Sequence, residues 1–185
     1  MHNRLVRSSS PMPTPVTQPE HSPRMRTYPI PALELRSFQP GDESAFRILN
    51  EQWIAKYFRI EEKDRETLCD PVGKILNHGG HIFLGTLEGE AVATCALVAM
   101  RPGEFEVAKM AVDERHRGAG IGRLLLEYTI AQAKALGARR LYLETNSTLA
   151  PAIHLYEAVG FRHLAPEQVT PSPYRRANVF MEMLL

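Results

Sequence analysis

Hydrophobic and polar positions follow two different periods along this 185-residue chain, and each period predicts a different kind of element. The stretch Leu33 to Phe38 alternates between apolar and polar residues, which predicts a half-buried strand. Asp42 is a suitable N-cap for a following helix, whose apolar residues recur at helical spacing as far as about residue 58. Two shorter helices are expected at residues 61–69 and 72–76, with a break at Pro71.

The second half of the chain alternates strands with helices. Two apolar runs, Ile82 to Leu87 and Ala91 to Met100, flank the sequence Glu88-Gly89-Glu90 and predict a hairpin. A further strand, Glu106 to Val112, leads into a glycine-rich turn and then a helix with an apolar face formed by Leu124, Leu125, Tyr128, Ala131, Ala135 and Leu136. The remaining residues predict a strand at 139–146, a helix at 152–159 opened by Pro151, a strand from Phe161, and a last strand at 178–185. This order predicts one domain with a mixed α/β sheet and crossover helices.

Composition divides the chain into two parts. Residues 1–31 carry half of the prolines, a run of three serines and few apolar residues, so a disordered tail is expected there. Residues 32–185 form the expected folded domain. The net charge of +1 provides no electrostatic reason to expect nucleic acid or an anionic membrane surface as a partner.

The two cysteines, Cys69 and Cys95, are far apart and show neither a disulfide framework nor a zinc pattern, which fits a cytoplasmic protein. His78 and His81 lie three residues apart, but no other ligand cluster stands near them in sequence, so no metal site is expected. No apolar run is long enough to span a bilayer, and we expect no membrane association.

The glycine-rich turn has the chemistry of an anion site. Glycines at 118, 120 and 122 permit positive φ and close approach of a phosphate, and the following helix start offers unpaired N–H groups and a positive dipole end. Arg115, Arg117 and Arg123 add charge. The third glycine comes one residue too early for a Rossmann fingerprint, and no Gly-Lys-Ser/Thr ends the loop as in a Walker A motif.

Two motifs resemble the GNAT superfamily of N-acetyltransferases, over roughly Leu33 to Leu185. The pattern Arg117-x-x-Gly120-x-Gly122 resembles the coenzyme A signature of that family. The segment from Ala152 to Phe161 is similar to the family's A-x-x-L-Y-E-x-x-G-F segment. The resemblance implies a mostly antiparallel mixed sheet with a splayed central parallel pair, here 109–112 and 141–145, and flanking helices.

The resemblance also implies a site for acetyl-CoA as acyl donor, without a metal. The cofactor contacts carried over are the strand residues Met110, Ala111 and Val112, and the loop residues Arg117, Gly118, Ala119, Gly120, Ile121, Gly122 and Arg123. The family often has an asparagine seven residues before its tyrosine; Leu149 stands there, and Asn146 is the expected substitute.

Catalytic roles follow from the same resemblance. Tyr156 is expected to protonate the departing thiolate, and Glu106 to deprotonate the amine, with Glu144 or water as the competing base. The expected activity is direct transfer of an acetyl group to a primary amine of a small molecule or peptide. The alternative is a non-catalytic acyl-CoA-binding or regulatory module. The acceptor and the formation of a homodimer stay open.

Overall fold

The computed structural model describes residues 33–169 and 171–185, and the expectation for the tail at 1–31 lies outside them. The strands are β1 (Glu34–Ser37), β2 (His81–Leu87), β3 (Glu90–Ala99), β4 (Glu104–Val112), β5 (Arg140–Thr145), β6 (Arg162–His163) and β7 (Val179–Leu184). The α-helices are α1 (Glu43–Tyr57), α2 (Glu62–Cys69), α3 (Pro71–Lys74), α4 (Ile121–Ala135) and α5 (Ala150–Val159). Short 3₁₀ turns cover Leu76–His78, Glu114–His116 and Pro166–Gln168.

The seven strands form one sheet in the order β1-β2-β3-β4-β5-β7-β6. Every neighbouring pair is antiparallel except the central pair β4 and β5, which is parallel. Helix α4 supplies the crossover that a parallel pair requires. The expected mixed, mostly antiparallel sheet with a central parallel pair is confirmed.

The parallel pair stays together for only three residues of each strand. Pairing runs from Glu104 with Arg140 to Glu106 with Tyr142 and then stops, although β4 continues for six more residues. On its other edge β4 remains paired with β3 as far as Val112. The two central strands therefore separate beyond Glu106 and Tyr142. The expected separated range on β4, 109–112, lies within the separated part. On β5 the separated part begins at residue 143 instead of the expected 141.

Helices cover both faces of the sheet. On one face, α4 packs on a cluster that includes Cys95, Leu97 and Leu141. On the other face, α1 and α2 pack through Phe46, Ile54 and Leu68 on Ile82, Leu84 and Ala96. Cross-strand partners share a face, so Glu106, which pairs with Val98, lies on the side of α1 and α2.

Three local predictions need correction. Leu124 and Leu136 of α4 are exposed, and the buried stripe instead consists of Ile121, Leu125, Leu126, Thr129, Ile130 and Ala133. Pro71 begins α3 rather than only breaking a helix, because proline suits a first helical turn. Asp42 is the N-cap residue of α1, but its side chain makes no capping bond and pairs with Arg36. No helix in the described part of the chain is long and apolar enough to cross a membrane.

Candidate active site

The loop between β4 and α4 presents a row of unused backbone donors. The N–H groups of residues 118–123 donate no hydrogen bond to other residues in the described part of the chain. Gly118 and Gly120 have φ values of +80° and +82°, and a Cβ at either would meet nothing within 4 Å. Gly120 is the N-cap of α4, so the positive end of the helix dipole adds to these donors. The loop can hold a phosphate or pyrophosphate against its backbone.

Gly122 lies against the end of β4. A Cβ there would lie 3.4 Å from Val112 Cγ2 and 3.5 Å from Met110 Cε, which is ordinary van der Waals contact. Helix and strand thus hold the donor row, including Ala119 and Ile121, beside the end of β4.

The predicted arginines differ in how far they are neutralised. Arg115 pairs with Asp113 and Glu90, and Arg123 pairs with Glu127 at 2.8 Å. Arg117 instead donates to the carbonyl of Val112 at 3.1 Å and to the Tyr57 hydroxyl at 3.3 Å. Because both partners of Arg117 are neutral, its charge is available to an anion at the loop.

A cavity of about 100 Å³ lies where β4 and β5 separate. It is bordered by Glu106 and Met110 of β4, Glu144 of β5, and Tyr156 of α5. Tyr156 packs on the α4 side of the sheet, whereas Glu106 lies on the α1 side. The gap between the strands therefore brings the two predicted catalytic residues to one cavity.

Glu106 is in an unusual electrostatic environment. Burial and the nearby Glu144 carboxylate raise the pKa of Glu106 to about 7, against a weaker opposing effect of Lys109. Glu106 makes no side-chain hydrogen bond or ion pair with another described residue. Glu144 has two hydroxyl partners, Tyr142 at 3.1 Å and Ser172. Glu106 is thus the carboxylate that can exchange a proton near neutral pH.

Tyr156 is held by packing rather than by polar contacts. Its ring meets Phe161 edge-on, with centroids 6.1 Å apart. Burial, with a contribution from Cys95, raises the pKa of the Tyr156 hydroxyl, so it is protonated at neutral pH. Cys95 itself is a fully buried core residue, and burial raises the pKa of its thiol to about 12.

The other predicted cofactor residues border the same gap. Beyond Glu106, the edge of β4 that includes Met110, Ala111 and Val112 has no strand partner on the β5 side. Asn146 also borders the cavity, but its amide is engaged: Nδ2 donates to the carbonyl of Arg176, and Oδ1 accepts from Thr148. Asn146 thus joins the end of β5 to the segment before β7.

A charged cluster at the cavity, and two aromatic residues beside it, had no assigned role in the sequence. Asp64 of α2 forms ion pairs with Lys109 and Arg176, and Lys109 also donates to the Tyr174 hydroxyl. Trp53 and Phe58 complete an aromatic wall beside them. No local pattern indicates this cluster, because Asp64 and Arg176 are 112 residues apart.

No metal centre is formed by the described residues. Within 33–169 and 171–185, no group of three or more His, Cys, Asp or Glu side chains could hold a metal ion. Of the two histidines noted in the sequence, His78 hydrogen-bonds the carbonyl of Gly73, and the ring of His81 stacks on Phe83.

Comparisons with known proteins agree on one family. Residues 43–161 match the model of the acetyltransferase (GNAT) family. A mycothiol acetyltransferase of Cellulomonas flavigena is 28% identical to this chain over 91% of the chain's length. The match spans only 51% of the length of that relative. A streptothricin acetyltransferase of Streptomyces lavendulae is 31% identical over 69% of this chain and 80% of its own length.

The fold is shared with solved acetyltransferases. One from Salmonella typhimurium, solved with its cofactor acetyl-CoA, superimposes with a TM-score of 0.63 at 20% identity, covering 83% of this chain and 94% of the other. The family match includes both motifs and the strands β2 to β5, and the chain belongs to the acetyltransferase (GNAT) family.

Proposed function

We propose that this protein transfers an acetyl group directly from acetyl-CoA to a primary amine, with Glu106 as base and Tyr156 as acid. The observation that carries the proposal is their convergence on one cavity from opposite faces of the sheet. Acetyl transfer requires one group to take a proton from the amine and another to give a proton to the sulfur.

Glu106 suits the first task. An amine in water is mostly an ammonium ion at neutral pH and must lose a proton before it can attack a thioester carbonyl. A carboxyl with a pKa of about 7 is a stronger base than an ordinary glutamate and is still largely ionised above neutral pH. The Glu106 carboxylate takes this proton from the ammonium group, which frees the nitrogen lone pair to attack the acetyl carbon. The nitrogen loses its second proton to solvent as the amide forms.

Tyr156 suits the second task. When the carbon–sulfur bond breaks, the sulfur leaves as a thiolate and needs a proton. The Tyr156 hydroxyl is protonated, donates to no other described residue, and borders the same cavity. It can give its proton to the sulfur and recover one from solvent.

The donor molecule would lie along the gap between β4 and β5. The backbone amides of Gly118 to Arg123 and the Arg117 guanidinium would hold its pyrophosphate. The free edge of β4 from Met110 to Val112 would hydrogen-bond the pantetheine arm as an added strand does. Asn146 lies at the far side of this gap. The bound acetyl-CoA in the Salmonella structure supports the same ligand here.

The acceptor is kept at the class of primary amines. Glu106 and Glu144 give the cavity a negative side that favours an approaching ammonium group, and Trp53 and Phe58 favour an apolar stem next to it. The two relatives are named for different compounds, mycothiol and streptothricin. Small-molecule and peptide amines both fit this description.

A screen of amine acceptors with acetyl-CoA, read by release of free thiol, tests the proposal. We expect release that depends on the amine and is lost in Glu106→Gln and Tyr156→Phe. Acetyl-CoA binding without amine-dependent release would instead support a non-catalytic acyl-CoA-binding module.

A further inference from the structure

A bulge in β4 turns Lys109 toward the α2 side of the sheet. Ala96 pairs with Ala108 and Thr94 with Ala111, so Lys109 and Met110 together face the single residue Cys95. Lys109 takes a left-handed conformation at φ +51°. Regular alternation from Glu106 would send Lys109 to the opposite face, and the bulge reverses this. The ammonium of Lys109 and the carboxylate of Glu106 consequently border the same cavity.

Asp64 determines where that ammonium goes. The Lys109 Nζ lies 2.8 Å from Asp64 Oδ1 and 2.9 Å from the Tyr174 hydroxyl, and it forms no ion pair with Glu106. Asp64 also accepts hydrogen bonds from both terminal nitrogens of Arg176, at 2.6 and 2.8 Å, and from the backbone N–H of Glu61 at 3.1 Å. Its side chain is 0% exposed, and that of Lys109 is 7% exposed.

The cluster connects three separate parts of the site. Asp64 belongs to α2, Lys109 to the bulge of β4, and Arg176 to the segment before β7. Burial alone would raise the pKa of Asp64, but Arg176 and Lys109 together hold it below its usual range. Asp64 is therefore a permanent anion between two cations. Removing its charge would leave both cations buried without their common partner.

We propose that Asp64 is a positioning residue for acetyl transfer: it holds the Lys109 ammonium against α2, away from Glu106, and leaves the Glu106 carboxylate free to take a proton. The inference rests on the proposed role of Glu106 as base. Asp64 itself does not touch the reacting atoms; it acts through Lys109.

The electrostatic consequence follows from the groups that face Glu106. Glu144 and the Tyr142 hydroxyl face it from β5, Lys109 from β4, and Tyr156 from α5. The segment before β7 contributes Tyr174 and Arg176, and α1 contributes the uncharged Asn50, Trp53 and Ile54. With Asp64 neutral, Lys109 would lose its carboxylate partner, and Arg176 would keep only its ion pair with Glu61 at 3.0 Å. The freed positive charge of Lys109 would favour the ionised form of Glu106 and lower its pKa.

The test compares pH–rate profiles, because a base must be ionised and its pKa sets the acidic limb. In Asp64→Asn we expect the limb to move to lower pH by about one unit. The matched control is Asp42→Asn, which breaks the Arg36 ion pair at the start of α1; neither residue borders the cavity. The acidic limb of the Asp42→Asn profile should stay at the pH of the parent protein. A loss of melting temperature in Asp64→Asn with an unmoved limb would reduce Asp64 to a structural role and overturn the proposal.

A second variant distinguishes two possible causes of a shifted acidic limb, the charge of Lys109 and the entry of water into a loosened site. Lys109→Gln should move the limb to higher pH, and adding it to Asp64→Asn should return the limb most of the way to its original position. If water entering a loosened site caused the shift, removing Lys109 would not restore it, and the proposal would fail. If Asp64→Asn does not fold, the test depends on Lys109→Gln alone. An acidic limb that does not move in Lys109→Gln would contradict the proposed effect of the Lys109 charge on Glu106.

Failure of the Glu106 assignment can be recognised separately. Carbon-13 NMR of the glutamate carboxyls, assigned by comparison with Glu106→Gln, follows the titration of Glu106 without any turnover. If this titration moves as expected in the Asp64 and Lys109 variants while Glu106→Gln keeps its acidic limb, the charge arrangement stands and the base is another group. If the pKa of Glu106 is the same in both variants as in the parent protein, the inference itself is overturned.

Discussion

Glu106 and Tyr156 lie on opposite faces of the sheet and yet border one cavity. The two residues are 50 positions apart in the sequence and belong to a strand and a helix. Their meeting depends on the loss of β4–β5 pairing after Glu106 and Tyr142, since a continuous sheet would close the passage between them. The proposed function assigns each of them one of the two proton transfers of amine acetylation.

Glu106→Gln is expected to lower kcat by roughly 10²–10⁴, the usual contribution of a positioned general base. Glutamine keeps the shape of the side chain but cannot accept the proton. In the parent enzyme, the rate should rise with pH through about 7, as Glu106 ionises, and this limb should disappear in the variant. A pH–rate series with a saturating amine measures both effects. Persistence of the limb would assign the base to Glu144 or to water.

The same substitution should stabilise the folded protein at alkaline pH. The pKa of Glu106 is raised above its ordinary value of 4.5, so the folded state favours its protonated form. That contribution to stability is complete below pH 4.5 and is lost as the pH rises through about 7. Glutamine is always neutral, so we expect a gain of roughly 1–3 kcal/mol at pH 8 and little difference at pH 4. Urea unfolding at the two pH values measures it, and an equal effect at both would contradict the raised pKa.

Tyr156→Phe should reduce turnover without weakening acetyl-CoA binding. The substitution keeps the ring that packs edge-on against Phe161 and removes only a hydroxyl without a described hydrogen-bond partner. We expect kcat to fall by roughly 10²–10⁴, with a nearly unchanged Kd for acetyl-CoA. Tyr128→Phe is the matched control, because Tyr128 packs edge-on against Phe83 and does not border the cavity. A parent-like kcat in Tyr156→Phe would leave Tyr156 as a packing residue.

Gly120→Glu should weaken acetyl-CoA binding on the order of 100-fold or more, because it brings a negative charge to the expected phosphate position. Gly89→Glu provides a close control: the two glycines have φ values of +82° and +83°, and neither has a neighbour within 4 Å of an added Cβ. Gly89 lies in the β2–β3 turn, so its substitution should cost similar stability and leave affinity intact. Calorimetry on both folded variants distinguishes them, and equal affinities would place the phosphates elsewhere.

Local interactions explain which parts of the site can be predicted from the sequence. The left-handed glycines and the free amides at the start of α4 depend on a few consecutive residues, so the amino-acid sequence alone indicates the anion loop. The order of the strands along the chain follows from alternating apolar runs and short turns. The segment around Tyr156 is recognisable because its residues are consecutive on one helix.

The tertiary structure decided what depends on distant parts of the chain. Which side of α4 is buried depends on where β3 and β4 lie beneath it, and so Leu124 proved exposed while Leu126 is buried. The family resemblance implied that β4 and β5 separate, but the residues of the two strands do not indicate where their pairing stops, which is after Glu106 and Tyr142. Lys109 faces Asp64 only because one extra residue shifts the register of β4. Asp64 and Arg176 form an ion pair although they are 112 residues apart in the sequence. Cooperative packing of the whole sheet brings such pairs together, and it therefore determines the electrostatics of the cavity around Glu106.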